Sequence, residues 1–518
     1  MRFSPITPSW LLAAGVLCAA ICSLSSAAAE EPLFAPPTVD ATDGSGLPNL
    51  QMGDSLAAED GTEPSFENET AAEDQAGDQS ENPAGALETI EEQLEDPVSE
   101  RNFESDVLVL PVDHLLGDWC GWRTMLEDDG ISPSVTFVSD MLGNPVGGRE
   151  QGFAEADNLG VNLAVDLEKR YGWKGGKFLF TMSQRSGRSL TNEYIGNTFS
   201  TQQVFGGETF KVIDIAYEQT FGEDEVEVEI GRIAAGDDFL VSQYNYLFVQ
   251  NGFCGNPVGI FFNAPGMSAY PNATWGTVVQ VRPIERGYVM GGLYNGDATI
   301  RDINNHGLDM SIDGPPFAIA ELAYERDQRP GDNGYIGNYK VGAWFDGNDF
   351  ANLEEQAQAN AGSGVVPSIH EGNYGFYGLF DQVLWKFSDR DEEIMRGLGV
   401  MGSALVSPDQ SISQMPYFFN AAIAARGIWK DRPRDIAAFG VVFGEFSSDL
   451  RAGQRLAQQL DPTVGVQKHE TVFEWTYIFR FRDGAFFFQP DVQYILDPSG
   501  TGQIPDALVV GSQVGFNF

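Results

Sequence analysis

Four histidines, His114, His306, His370 and His469, are where a search for acid–base or metal chemistry starts, and they stand far apart with no ligand spacing among them. The sequence holds no His-Glu-x-x-His pair and no serine beside a histidine and an acid in a recognisable order, so zinc hydrolysis and triad catalysis have no motif to rest on. Gly397-Leu-Gly-Val-Met-Gly402 has the letters of a dinucleotide fingerprint but lies inside an alternating stretch without the strand–turn–helix context. It reads instead as small residues that leave lumen width or ease curvature. No cofactor and no metal site is expected. Two placed carboxylates could hydrolyse a glycoside, yet 75 acidic residues offer too many pairs for any one to be informative. What the polar residues can do is hydrogen-bond a hydroxyl-rich solute. The candidates are Arg232 with Asp237 and Asp238, Glu218, Glu474 and Arg480 at alternate positions of apolar segments, and Gln489, Asp491 and Gln493 spaced two apart. A guanidinium offers a rigid fork of donors, and carboxylates accept from neighbouring hydroxyls. The bland alternative for each is that it solvates a wet interior or ties a loop to a wall.

Such residues need elements that hold them in line. From Ile131 onward the chain breaks into short alternating segments separated by turn residues. Phe473, Trp475, Tyr477, Phe479 and Phe481 alternate with Val472, Glu474, Thr476, Ile478 and Arg480; Ile213, Ile215, Tyr217 and Phe221 stand opposite Asp214, Ala216, Glu218 and Thr220. A soluble sandwich would hide the aromatic row in its core and rarely needs charges between its members. A barrel with lipid outside and water inside needs both. The last eleven residues put Leu508, Val510, Val514, Phe516 and Phe518 on one face and Val509, Gly511, Gln513, Gly515 and Asn517 on the other. This segment resembles the closing strand of bacterial outer-membrane barrels, whose terminal Phe the assembly machinery reads, and marks Phe516 and Phe518 as the assembly signal.

The pattern predicts an all-β fold, a transmembrane antiparallel β-barrel of about 16 strands with a short helix before the first. The strands fall near 131–141, 158–167, 176–185, 209–221, 225–234, 274–283, 287–294, 315–325, 334–345, 374–386, 397–407, 417–428, 435–446, 470–482, 485–496 and 507–518. Tight connections after the second, fourth, sixth, tenth and fourteenth strands alternate with long ones after the third, fifth, ninth and thirteenth, as periplasmic turns and external loops do. The connection 235–273 is rich in aromatic residues, Gly and Pro, which predicts a packed loop folded into the lumen; an external loop packed on its neighbours is the alternative. Alternation from Val226, Val228 and Ile230 puts Arg232 on the lipid face, so it serves the lumen only beyond the membrane band or after a bulge.

Composition agrees with this compartment. Residues 1–29, with Arg2, an apolar run from Trp10 to Leu24 and Ala27-Ala28-Ala29, read as a secretory signal peptide. Beyond them no stretch reaches the ~18 apolar residues of a spanning helix. Residues 30–106 hold 22 acidic side chains against Arg101 alone, too few apolar groups to fold, and read as a disordered acidic leader, with one transient helical pattern at 84–96. The barrel domain, 107–518, carries 53 acidic and 28 basic residues, a net of −25, and this sign excludes nucleic acid as a partner. Cys120 and Cys254 either pair in an oxidising compartment or stay as isolated thiols; their spacing does not decide.

Several segments taken together resemble the carbohydrate-selective porins of the OprB type. They are Leu115-Leu-Gly-Asp-Trp-Cys-Gly-Trp-Arg-Thr124, Gly231-Arg-Ile-Ala-Ala-Gly-Asp-Asp-Phe239, Phe253-Cys-Gly-Asn-Pro257, Ser268-Ala-Tyr-Pro-Asn-Ala-Thr-Trp-Gly276, Asp381-Gln-Val-Leu-Trp385, Arg432-Pro-Arg-Asp435, Gln489-Pro-Asp-Val-Gln-Tyr494 and Ile504-Pro-Asp-Ala-Leu508. The resemblance implies a sixteen-stranded barrel in the bacterial outer membrane that passes small carbohydrates passively and is no enzyme. Its partners would be outer-membrane lipid, the barrel assembly machinery and, in a homotrimer, two further copies. Cys120 stands where the family motif has Gly, and Tyr244-Asn-Tyr246 where a cysteine partner of the Phe253–Pro257 segment is expected; a Cys120–Cys254 disulfide would reconcile both. Two rival readings remain: a general or cation-preferring pore, because acidic residues in a lumen concentrate cations, and a secreted all-β glycan-binding protein or enzyme.

Overall fold

The computed structural model describes residues 114–518 except 223–224, 254, 329–333 and 388–395. The signal peptide, the acidic leader and the helical pattern at 84–96 lie outside the described residues. Sixteen strands form one closed antiparallel barrel in which each pairs with its sequence neighbours and the first pairs with the last. They are β1 (Ile131–Val146), β2 (Phe153–Asp166), β3 (Gly176–Gly187), β4 (Thr209–Phe221), β5 (Val226–Ile233), β6 (Thr274–Ile284), β7 (Gly287–Asn295), β8 (Pro316–Arg326), β9 (Gly337–Ala351), β10 (Ile369–Lys386), β11 (Gly397–Val406), β12 (Tyr417–Arg426), β13 (Ile436–Glu445), β14 (His469–Phe481), β15 (Phe486–Leu496) and β16 (Ala507–Asn517).

The alternation works because the two faces meet different solvents. Along β14, Glu470, Val472, Glu474, Thr476 and Ile478 are buried inward while Trp475 and Phe481 stay exposed outward. Where strands run past the apolar band the pattern fades but the pairing continues. This explains why β1 extends to Val146 and β2 begins at Phe153: Asn144, Glu155 and Asp157 carry no apolar signal, yet Gly143 pairs with Phe153. Connection lengths follow the expected alternation only in part. Connection 147–152 is six residues long on the loop side, whereas the turn-side 387–396 has ten.

In β4 a register shift against β3, between Phe180 and Met182, interrupts the alternation. Ile213, expected on the outer face, is instead fully buried against Ala234, Ala273 and Tyr270. An extra residue in one strand re-aims every side chain beyond it.

The helix expected before the first strand is Trp122–Asp128. It sits at the β1–β16 seam. Asp118 Oδ1 accepts the Thr124 N–H at 2.8 Å and its hydroxyl at 2.8 Å, which holds the Asp118 carboxyl below the ordinary carboxylate range. Leu115 N donates to Asn517 O at 2.7 Å, Phe518 N to Val135 O at 2.8 Å, and Arg123 Nη2 to Phe518 O at 2.7 Å. Arg123 is buried, bonded to His114 at 2.8 Å and stacked 4.5 Å from the Trp119 ring. Outside the same seam an aromatic ladder runs Phe481–Phe486–Phe516–Phe137, with centroids 5.4, 5.0 and 6.4 Å apart. Each such pair adds about 0.5–1.5 kcal/mol beyond its buried area. Cys120 is an exposed free thiol beside this helix; Cys254 lies outside the described residues.

Candidate functional site

The interior is shaped by two loops, and the inward polar residues hold them. Residues 234–273 run along the inner wall as a belt. Leu240 N donates to Glu321 on β8 at 3.1 Å, and Lys340 Nζ on β9 donates to Val241 O at 3.1 Å. Ser242 Oγ donates to Asp381 on β10 at 2.6 Å, Gln489 Nε2 on β15 to Leu247 O at 2.9 Å, and the Glu474 carboxyl on β14 takes Val249 N at 2.6 Å and Gln250 N at 3.2 Å. The belt then turns back. Asn263 Nδ2 donates to Met415 O at 2.7 Å, Asn373 Nδ2 on β10 to Asn263 O at 3.0 Å, and Gly266 N to Asp346 on β9 at 2.7 Å. Buried loop N–H groups need acceptors, and carboxylates supply the strongest ones.

Glycines on the wall make room for the belt. A Cβ on Gly399 would lie 1.7 Å from the Tyr244 hydroxyl, and one on Gly440 would lie 2.5 Å from Phe253, whose ring stacks on Phe248 at 4.0 Å. The Gly397–Gly402 segment therefore does leave interior width, and Tyr244 occupies it.

A second loop, 188–208, covers the remaining inner wall of β14, β15, β16 and β1. Glu470 accepts Thr198 N at 2.7 Å and Phe199 N at 2.9 Å; Gln493 Nε2 donates to Thr201 O at 3.0 Å; Gln513 Nε2 donates to Asp140 at 2.7 Å, and Asp140 takes Val204 N at 3.4 Å. The two loops are joined by Gln203 N to Val249 O and Asn251 N to Ser200 O, each 2.8 Å.

The predicted residues now sort by position. Glu474, Gln489, Asp491 and Gln493 point inward as expected but are buried under the loops, with the carboxyls of Glu474 and Asp491 in contact. Glu474 and Gln489 fasten the belt, Gln493 fastens the second loop, and Asp491 takes the Gln493 amide. Glu218 is buried and inward, paired with Lys177 at 3.7 Å near the turn end. Arg480 is half-buried at the turn end of β14, its N–H donating to Asp435 at 3.1 Å. Asp237 and Asp238 lie in the short helix Ala235–Asp238 that opens the belt, Asp237 half-buried and Asp238 buried. Arg232 is the correction. It pairs with Ile215 and Trp275 on the outward face, the bulge lies in β4 and not in β5, and a further loop covers it from outside. Its Nε donates to Val212 O at 3.1 Å, beneath residues held by Val212 N to His306 O at 3.0 Å and Trp275 Nε1 to Asp309 O at 3.2 Å.

On the wall of β2 and β3 the same two loops close over a buried polar group that sequence reasoning did not single out. Asn158 accepts from Ser183 Oγ at 2.6 Å and Arg185 Nε at 3.2 Å and donates to Tyr270 OH at 3.1 Å, while the Arg185 guanidinium lies 5.5 Å from the Tyr270 ring. Alternation did place Arg185 inward on β3; the partner Tyr270 comes from a loop 85 residues later and left no periodic signal. On the belt Tyr246 is 48% exposed. Arg301, from the loop after β7, donates to Phe261 O at 3.1 Å and Met267 O at 2.9 Å. Its enclosure by the loops pushes the guanidinium down to about 10, against the pull of Asp346; the side chain still meets water and stays cationic at neutral pH. Among the described residues no group of His, Cys, Asp and Glu side chains could hold a metal ion.

Comparison with known proteins gives concordant findings. The family model for the carbohydrate-selective porin, OprB family, matches residues 150–518. Porin B of Pseudomonas aeruginosa is 24% identical over 425 residues, covering 77% of this chain and 90% of that protein. The putative porin QuiX of Acinetobacter baylyi is 27% identical over 429 residues, covering 78% and 93%. The high-pH structure of Pseudomonas putida OprB superposes with a TM-score of 0.71 at 23% identity, over 80% of this chain and all of that one. At that identity the likeness speaks to the fold.

Proposed function

The chain belongs to the OprB family of carbohydrate-selective porins, outer-membrane barrels that pass small carbohydrates, and from that premise we propose how the passage works. Diffusion is passive, with no enzymatic step, through the space that the two loops leave inside the barrel. Tyr246 on the belt and Tyr270, held by the buried Asn158 and Arg185, present hydroxyls and aromatic faces to mostly uncharged sugars. Arg480 and Glu218 flank the turn-side exit, and Asp237 stands at the base of the belt. The observation that carries this reading is the fate of the inward carboxylates. Glu321, Glu470, Glu474, Asp346 and Asp381 are engaged with loop N–H and O–H groups, so the acidic excess of the barrel is not spread along an open lumen. This favours a sugar path over a cation-preferring pore.

Cleavage after Ala29, an acidic leader at 30–106 ahead of the barrel, and assembly by the barrel machinery through Phe516 and Phe518 belong to the same reading, as does a homotrimer. The experiment is single-channel recording in planar bilayers with sugar titration, beside liposome flux of sugars and size-matched non-sugars. Arg185→Ala should weaken sugar block and raise conductance. Equal flux of sugars and non-sugars through the intact protein would make it a general pore.

A further inference from the structure

The lipid-facing surface carries a groove that the solute path does not use. It measures 520 Å³ and is lined by Trp429, Arg432, Asp435, Tyr477, Phe479 and Phe481. Tyr477, Phe479 and Phe481 are the outward residues at the turn end of β14, and Trp429 and Arg432 rise beside them from the connection 427–435. Arg432 grips Asp435 through two bonds, Nε to Oδ2 at 2.8 Å and Nη2 to Oδ1 at 2.9 Å, and lies over the rings of Phe481 at 4.8 Å and Phe479 at 5.8 Å. Its guanidinium is thereby fixed as part of an aromatic trough, with Trp429, 63% exposed, standing beside it.

Cations border the trough. Arg434 is paired with Asp483 at 3.1 Å, but Lys430 and Arg482 have no acidic partner among the described residues. On 427–435 and 482–484 four cations, Lys430, Arg432, Arg434 and Arg482, stand against three carboxylates, Asp431, Asp435 and Asp483, so that a chain of net charge −45 carries a local excess of one positive charge beside this groove. An ordinary interfacial belt of aromatic side chains requires neither a groove with an Arg–Asp pair set among its rings nor a positive border. The volume lies within the ~300–1,000 Å³ of sites that hold small ligands, and basic residues at the membrane surface recognise anionic headgroups.

We propose that this groove binds one anionic glycerophospholipid of the periplasmic leaflet, its acyl chain along Trp429, Phe479 and Phe481 and its phosphate between Lys430 and Arg482. The inference needs only the membrane-spanning barrel and not sugar selectivity, so the two readings fail separately.

The test uses the full-chain protein in vesicles of neutral lipid doped with phosphatidylglycerol or phosphatidylethanolamine brominated on the same acyl positions. Subtracting the emission of Trp429→Phe from that of the intact protein isolates Trp429. Phosphatidylglycerol should quench that component at a mole fraction about tenfold lower than phosphatidylethanolamine does. The double variant Lys430→Gln/Arg482→Gln should abolish the difference while keeping a heat-modifiable barrel. Equal quenching by both lipids in the intact protein overturns the proposal, as does a preference that survives in the double variant. Native mass spectrometry of intact protein with each lipid gives the same comparison without the tryptophan substitution: a retained phosphatidylglycerol, lost in the double variant, supports the site, and equal retention of both lipids refutes it.

Discussion

Replacing Glu474 with Ala tests whether the inward carboxylates hold the loop belt. The carboxyl takes two loop N–H groups, Val249 at 2.6 Å and Gln250 at 3.2 Å, and is itself fully buried. Each buried donor left unsatisfied costs about 1–3 kcal/mol, so the substitution removes roughly 2–6 kcal/mol from docking of this part of the belt. The other anchors, Glu321, Lys340, Asp381 and Asp346, remain, so the expected result is local release around residues 247–253 with the barrel intact. Amide hydrogen exchange in peptides spanning this segment should quicken by about 30-fold or more, each 1.4 kcal/mol being a factor of ten. Single-channel conductance should rise and become noisier as Phe248 and Phe253 leave the wall. Glu474→Gln, which keeps one acceptor oxygen, should fall between. If exchange and conductance both stay at the level of the intact protein while the barrel remains heat-modifiable, the carboxyl is a passenger and the belt is held by its apolar packing alone.

Further outcomes are expected elsewhere. Arg123→Ala should lower the temperature at which the folded band is lost in heat-modifiability gels, because breaking a buried charged contact costs about 3–5 kcal/mol; a one-residue extension beyond Phe518 should do the same by displacing the end that Arg123 holds. Arg232→Ala should expose the loop over β4 to β6 to protease and leave conductance unaltered, since the side chain faces outward; a change in sugar block would contradict that placement. The Asp118 carboxyl is held below its ordinary range, so its contribution to the seam is full above about pH 4 and is lost as pH falls through the lowered value. Exchange of the Thr124 amide against pH reads this directly, and Asp118→Asn should remove the acid limb.

The barrel was legible because lipid and water impose opposite demands on successive residues, so a period of two survives wherever both solvents are present. It failed where one was missing. The outer ends of β1, β2, β9 and β10 continue the pairing above the apolar band, with residues such as Asp157 and Asp346 that give no outward signal. The inward placement of Glu474, Gln489, Asp491 and Gln493 was likewise readable, but their burial was not. What covers Glu474 lies 225 residues earlier in the chain, a separation to which no local pattern points. Arg232 shows the converse. Strict parity placed it outside, and the bulge that would have rescued a lumen role lies in the neighbouring strand. Arg185 and Tyr270 share a contact only because a long loop returns to the wall opposite β3.

The belt gives this protein two walls over most of its circumference, and they are written in different stretches of sequence. The outer shell of strands answers to the thickness and chemistry of the bilayer, whereas the inner shell, residues 188–208 and 234–273, answers to the solute. An inward substitution on β8 to β15 is therefore felt first as a change in how the lining is seated, and only through that as a change in what passes. A substitution on the open face of the lining can alter the sieve while the membrane-facing cylinder registers nothing. Lumen mapping by cysteine reagents should accordingly find its reactive positions in the loops, with the strands behind the lining silent although their side chains point toward the axis.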